Sequence, residues 1–477
     1  MKKILLYIGG GMLLVLVFMT LKTFIFSSNQ VQHEAIKPIQ VSETAVTRLQ
    51  GAIKYKTISY QFPGKPDSLE FTGIHNYFEK VFPLIHSSIE KKTFKYSLLY
   101  KWQGKNENIK PILLMSHIDV VPVDQATLND WEAGPFSGEL KNGNVYGRGT
   151  MDDKMSVLGI MEAVEMLLKD DFKPERTVYL AFGHDEEIGG DNGAGSIAAY
   201  LEEEGVDLEF VIDEGGFIVN GLIPGLDKTM AVINVAEKGY VTYELSITTP
   251  GGHSSTPPEN NTIGSLARAI VKLENSQFPY KSIPVLEEQI ASVGPELSFL
   301  GKFVFANSWL FKSIILKGLN AHTTTAPTII SGGVKDNVIP TRATATVNFR
   351  VMTGETTDQV KNHIIETIKD DRITVEAVRN INEPSKVSDY TSDSYKIIQK
   401  TIKQLYPNII VSPGLISGGT DTKHYVNISE NAYRFVPLSI NENNSTGFHG
   451  INEHISSKNY IEIVQFYYQF IQNVNMK

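Results

Sequence analysis

The sequence predicts an α/β protein interrupted by a smaller α+β unit and preceded by an apolar helix. Three observations carry this. Over residues 110–216, short apolar strands that end in charge alternate with helical patterns. Near Lys238 the apolar spacing changes to two-residue alternation, the mark of a half-exposed sheet. Residues 4–21 contain no charge at all.

That uncharged run follows Lys2 and Lys3 and continues past Lys22 to Phe26. About 20 apolar residues suffice to cross a bilayer as a helix. The exit, Lys22-Thr-Phe-Ile-Phe-Ser-Ser, lacks the small-residue pattern of a cleavage site, and a buried core helix would need a polar face that is missing. Residues 1–26 therefore read as an uncleaved membrane anchor, with Met1 cytoplasmic and the remainder on the non-cytoplasmic side. Cleavage would instead yield a secreted protein. Residues 27–46 are polar and irregular and read as a tether.

From residue 47 the chain reads as folded. Apolar strands at 111–115, 177–182 and 210–212 run into Ser116-His-Ile-Asp119, Gly183-His-Asp-Glu-Glu187 and Asp213-Glu-Gly-Gly216. Buried parallel strands present ligands at their carboxyl ends in this way. Val157, Ile160, Met161, Val164, Leu167 and Leu168 keep the helical period of a crossover helix. The first part of this domain is placed at 47–238. Alternating strands at 239–248 and 342–351, with helices at 263–273 and 355–369, mark an inserted unit at 239–383, and 384–477 returns to the first domain. Residues 285–330 are apolar but weakly periodic and fit neither pattern.

The chain has 477 residues, room for a substantial core, and 42% apolar and 20% charged residues place its bulk in water. With 44 Lys+Arg against 53 Asp+Glu and no long basic run, nucleic acid is excluded as a partner. Cysteine is absent, so any metal is held by His, Asp and Glu.

Each strand end has an ordinary explanation when taken singly. His117 and Asp119 point to one face of an extended segment, as many turn pairs do. Asp152 and Asp153 open a helix, where aspartate is favoured by capping and the dipole. Asp185, Glu186 and Glu187 form a solvated loop unless cations neutralise them. Together with Asp213, Glu214 and the glycine-flanked His449, however, they form a His/Asp/Glu set suited to two zinc ions sharing a carboxylate.

These segments resemble the dinuclear zinc metallopeptidases that include carboxypeptidase S, glutamate carboxypeptidase and aminoacylase, and are most similar to the carboxypeptidase S branch. The resemblance rests on six ordered motifs: Ser116-His-Ile-Asp119, Gly147-Arg-Gly-Thr-Met-Asp-Asp-Lys154, Asp185-Glu-Glu-Ile-Gly-Gly190, Val211-Ile-Asp-Glu-Gly-Gly216, Gly251-Gly-His-Ser-Ser255 and Phe448-His-Gly-Ile-Asn-Glu453. It spans residues 45–477. It implies a zinc-binding α/β domain with an inserted lid that also forms a homodimer. Two zinc ions per chain are implied, one on His117, Asp152 and Asp213, the other on Asp152, Glu187 and His449. Relatives use either an aspartate or a glutamate on the strand that here offers both Asp213 and Glu214, and Asp213 is taken. Glu186 is implied as general base and Asp119 as the group orienting His117.

In the lid, the resemblance gives His253 the stabilisation of an oxyanion in the neighbouring subunit's site. Asn337 and Arg350 are matched to substrate contacts. Lys423 stands where relatives often carry an arginine for the substrate carboxylate, keeping the charge without the bidentate fork. The implied activity is hydrolysis of an amide next to a free carboxylate, on short peptides or on N-acyl amino acids. The competing class, a non-catalytic membrane-tethered peptide or metal binder, is disfavoured by the presence of Glu186, the ligand set and His253. A nucleotide-type phosphate loop at 147–149 fails for want of the full glycine fingerprint.

Overall fold

The computed structural model describes residues 2–61, 64–378 and 381–476. Met1, expected on the cytoplasmic side, lies outside the described residues. The strand Ile112–His117 is buried along its whole length and lies between Val178–Gly183 and Phe210–Asp213, parallel to both. Ala432–Arg434 adds in parallel beyond Phe210–Asp213. On the other side Ser97–Trp102 and Glu90–Phe94 close the sheet antiparallel. Met230–Glu237 continues it past Ala432–Arg434, with Ile410–Ile416 parallel to it.

Alternation along these strands feeds two cores. Ile112 and Leu114 pack with Met155, Ile160 and Val164 of the helix Lys154–Lys169 and with Ile463 and Phe466 of Ser457–Val474. Leu113 and Met115 face Ile197 and Leu201 of Ala194–Glu203 on the opposite side. The result is a helix–sheet–helix arrangement, as the strand and helix spacing predicted. His117 and Asp213 are the last residues of their strands, and Glu186 and Glu187 follow Gly183 by three and four residues. All of them gather at one edge because the strands are parallel.

A second, four-stranded antiparallel sheet has the order Thr324–Gly332, Arg342–Val351, Gly239–Thr248, Ile373–Ala377. Val241, Tyr243, Leu245 and Ile247 share a separate core with Ala345, Val347 and Phe349 and the helices Thr262–Asn275 and Thr357–Ile368. Both helices start at side-chain caps: Asn261 accepts the Gly264 N–H at 2.8 Å, and Thr356 forms a reciprocal capping box with Gln359. The expected helix at 355–369 begins two residues later because that box stops it.

Residues 285–330 resolve into three short helices, Pro284–Val293, Phe299–Ala306 and Ser308–Gly318, before the strand Thr324–Gly332. Val285 and Leu286 belong to the core of the large sheet rather than the small one. The polar stretch after the N-terminal helix Lys2–Ile25 has no regular structure up to Ser42, but it is docked. The Gln30 side chain donates to the carbonyls of Ser292 and Val411 and accepts the Val411 N–H, and Gln465 donates to the Ile39 carbonyl.

Candidate metal centre

Asp152 sits in the loop entering the helix Lys154–Lys169 and turns one carboxylate oxygen to each of two histidines. Its Oδ1 is 3.1 Å from His117 Nε2, and its Oδ2 is 3.1 Å from His449 Nε2. Glu187 Oε2 lies 3.2 Å from the same His449 nitrogen, and Glu214 Oε1 lies 3.7 Å from His117 Nε2. Two trios result, His117–Asp152–Glu214 and Asp152–Glu187–His449, with Asp152 common to both.

Glu214, not Asp213, completes the first trio. Side chains of consecutive residues leaving a strand diverge, and the sheet turns Asp213 elsewhere: its Oδ1 accepts the Glu214 N–H at 2.9 Å. Sequence reasoning expected Asp213 here, and the geometry brings Glu214 to His117 and Asp152 instead. Asp213 remains buried close by, and burial pushes its carboxyl up to about 6, while burial and the Asp152 charge push Glu214 up to about 7.

The His117 ring is held from behind. Its Nδ1 is 3.0 Å from the main-chain carbonyl of Asp119 and 3.4 Å from that residue's carboxylate. An Nδ1–H donated there leaves the Nε2 lone pair facing the trio, the tautomer a metal ligand needs. The Asp119 carboxylate chiefly does other work. It accepts the Ser59 hydroxyl at 2.6 Å and the N–H groups of Glu186 and Glu187 at 3.2 and 3.3 Å, fixing the loop that carries both glutamates. Gly190 lets this loop turn back: its φ is +73°, and a Cβ there would meet Asp421 Oδ1 at 1.9 Å.

Glu186 belongs to neither trio. Burial raises its carboxyl well above the usual range, with the Asp421, Glu214 and Glu187 charges adding to the effect against His117. His449 has a left-handed backbone, φ +55°, between a phenylalanine and a glycine, a conformation uncommon outside glycine and found at constrained functional positions. Hydrogen bonds to Asp152 and Glu187 push its ring up to about 10. Glu187 Oε1 and Asp213 Oδ2 are buried without a hydrogen-bond partner. So many carboxylates around two histidines need cations, and the donor set of nitrogen and oxygen with one shared carboxylate fits a pair of divalent metals.

Sequence reasoning left Glu453 and Arg148 without a role. Glu453 Oε1 accepts the N–H groups of Gly149, Met151 and Asp152 at 2.9, 2.8 and 3.3 Å, while its Oε2 takes Arg148 Nη1 at 2.6 Å. Arg148 Nη2 also reaches the Gly450 carbonyl at 3.1 Å. This buried pair joins the loop bearing Asp152 to the one bearing His449. Both residues stand inside the motifs, and an acid and a base that close to ligands were the available signal.

The remaining expected residues lie elsewhere in the chain. His253 is on an exposed two-stranded ribbon, paired with Val338 beside Asn337, whose carbonyl accepts the Ser254 N–H at 3.2 Å. Its Nδ1 is 2.7 Å from Ser255 Oγ. Among the described residues, no hydrogen bond or ion pair joins His253 or Asn337 to the two trios. Arg350 is half-buried with its guanidinium 4.7 Å from the Tyr240 ring centre. Lys423 lines a cavity of about 280 Å³ with Ser385, Lys386 and Glu430, which includes no residue of either trio.

A doubly wound sheet with two carboxylate-linked His/Asp/Glu trios at the carboxyl ends of its strands defines a metallohydrolase of the α/β class. Residues 113–473 match the model of peptidase family M20/M25/M40, and the chain belongs to that family. It is 41% identical to a probable carboxypeptidase S-like protein 2 of Dictyostelium discoideum, over 97% of this chain and 92% of that one. It is 39% identical to the mouse N-fatty-acyl-amino acid synthase/hydrolase PM20D1, over 90% and 87%, and 34% identical to carboxypeptidase S of Saccharomyces cerevisiae, over 91% and 84%. Among solved structures, an M20 family metallo-carboxypeptidase from Sulfolobus solfataricus has the same fold, with a TM-score of 0.69 at 20% identity, covering 91% of this chain and 99% of that one. The chain is thus a metal-dependent hydrolase with peptidase or amidohydrolase activity.

Proposed function

We propose that the protein hydrolyses an amide bond next to a free carboxylate, in short peptides or N-acyl amino acids, using two zinc ions. The observation that carries this is Asp152, with one oxygen directed at each trio. His117, Asp152 and Glu214 would hold one ion, and Asp152, Glu187 and His449 the other. When bound, the pair supplies Lewis acidity that acidifies a water and polarises the substrate carbonyl.

The chain's own groups do the rest. Glu186, fixed through its main-chain N–H by Asp119 and free of both trios, takes the proton of the attacking water and passes it to the leaving amine nitrogen. The exposed ribbon leaves His253 available to a neighbouring subunit, where it would donate to the oxyanion, in a homodimer formed through the inserted unit acting as a lid. Asn337, Arg350 and Lys423 would contact substrate.

The chain is anchored by Lys2–Ile25 with its catalytic part on the non-cytoplasmic side. Among the described residues, this is the one unbroken helix long and apolar enough to cross a bilayer. Retention is supported by its far end, which is built into the fold: Met19 and Thr23 are buried, and Asn307 donates to the Met19 carbonyl at 3.2 Å.

Metal analysis of the purified protein, with a screen of N-acyl amino acids against dipeptides, tests the reading. Two zinc ions per chain and turnover of one substrate class are expected. Glu186→Gln should keep both ions and lose about 100-fold to 10,000-fold in kcat. Loss of an ion in Glu186→Gln but not in Glu187→Gln would exchange the two roles.

A further inference from the structure

The geometry points to a second membrane contact: the elbow of Phe299–Ala306 and Ser308–Gly318 lies in the surface of the same bilayer that Lys2–Ile25 crosses. This rests on reading Lys2–Ile25 as a span. The chain bends by 111° between the two elbow helices. At eight and eleven residues they are about 12 and 17 Å long, too short for either to cross a hydrocarbon core of about 30 Å.

One side of the elbow is fastened to protein. Ala306, Ile315 and Leu316 are buried, and Asn307 sits at the bend with no exposure. Its side-chain amide donates to the Phe303 carbonyl at 2.8 Å within the elbow, and to the Met19 carbonyl and Thr23 Oγ1 of the anchor at 3.2 and 3.4 Å. Phe24 and Phe299 bring their rings together, centroids 6.1 Å apart.

The other side has no cover. Phe299, Leu300, Trp309, Leu310 and Ile314 are each more than half exposed. Water is a poor partner for five large apolar side chains exposed on one short helical pair. Its place along the anchor says what covers it. Residues 4–18 of the anchor make their surface available all round, whereas burial begins at Met19 and the elbow packs against the stretch from Met19 to Phe24. The elbow therefore stands at the level where the span leaves the hydrocarbon, next to Lys22. The composition suits that depth. Between Phe299 and Gly318 there is no acidic residue, and the only charges, Lys302, Lys312 and Lys317, have stems long enough to reach head groups. Trp309 is the residue type favoured at such an interface. The elbow thus adds a second contact with the outer leaflet beside the span.

Trp309 is also its own probe, because the other two tryptophans, Trp102 and Trp131, are buried. The full chain is reconstituted in phosphatidylcholine vesicles with bromine near the top of the acyl chains. Emission should fall relative to unbrominated vesicles, and Trp309→Phe should abolish the quenched component. Leu310→Glu with Ile314→Glu, both at exposed positions, should restore Trp309 emission while the chain still floats with the vesicles and cleaves a short soluble substrate at the same rate. A Trp309 signal insensitive to bromolipid and quenched by acrylamide from the water would overturn the proposal, as would a dimer that shields it from both. A chain that separates from the vesicles would overturn the span and the elbow contact together, whereas a floating chain with a water-exposed Trp309 overturns only the second.

Discussion

Replacing Glu453 with glutamine tests whether the buried pair with Arg148 holds the metal centre in shape. A carboxylate accepts on both oxygens, and Glu453 uses both: three main-chain N–H groups on Oε1 and the guanidinium on Oε2. An amide has one accepting oxygen and one donating nitrogen. Whichever way it turns, either the N–H groups of Gly149 and Met151 or the Arg148 guanidinium faces another donor. Arg148 and Glu453 are both nearly inaccessible to water, so a charge is left buried without its partner. Breaking such a pair costs about 3–5 kcal/mol, and the low end applies here because Arg148 keeps the Gly450 carbonyl. The Asp152 N–H is one of the lost anchors, so metal affinity should also fall by about 10-fold to 100-fold, as when groups supporting a ligand are removed. Thermal denaturation of the metal-free chain reads the first effect, and competition with a chelator reads the second. Arg148→Met combined with Glu453→Leu should regain part of the stability, since no charge is stranded, but not the metal affinity. Unchanged melting and unchanged affinity in Glu453→Gln would refute the reasoning.

Three further outcomes are expected. Glu214→Gln should remove one of two metals measured per chain, whereas Asp213→Asn should leave both; the reverse pattern would restore Asp213 as the ligand. His253→Ala should lower kcat about 100-fold with metal content intact, the size of effect seen on losing an oxyanion donor, and mixing it with Glu186→Gln chains should recover part of the activity through heterodimers. An inactive mixture in which heterodimers form would place His253 in its own chain's site. Because Asp152 and Glu187 raise His449 to about 10, the metal-free chain gains stability from this ring in full below about pH 6.5, and loses it as pH rises through about 10. Zinc added at pH 7 must displace that proton. Calorimetry in buffers of different ionisation enthalpy should show proton release that His449→Asn reduces; equal release in both would remove His449 from the site.

The parts of this molecule that depend on local periodicity were legible along the chain. Apolar runs ending at His117, Gly183 and Asp213 were readable as parallel strands because both faces of such strands are buried. The alternation at Gly239–Thr248 and Arg342–Val351 was readable because one face of that sheet is wet. The order of the motifs was enough to indicate the family. What depends on direction and on contacts far apart in the chain became visible only in three dimensions. Whether Asp213 or Glu214 turns to the trio is fixed by where the strand ends and what packs around it, and two adjacent carboxylates carry no mark of that in their spacing. Glu453 meets Arg148 across 305 residues, and Asn307 meets Met19 across 288, so no window along the chain contains either pair. The weak period of 285–330 has the same origin. Its short helices carry apolar residues both toward the protein and away from it, and a pattern written for one buried face cannot register that.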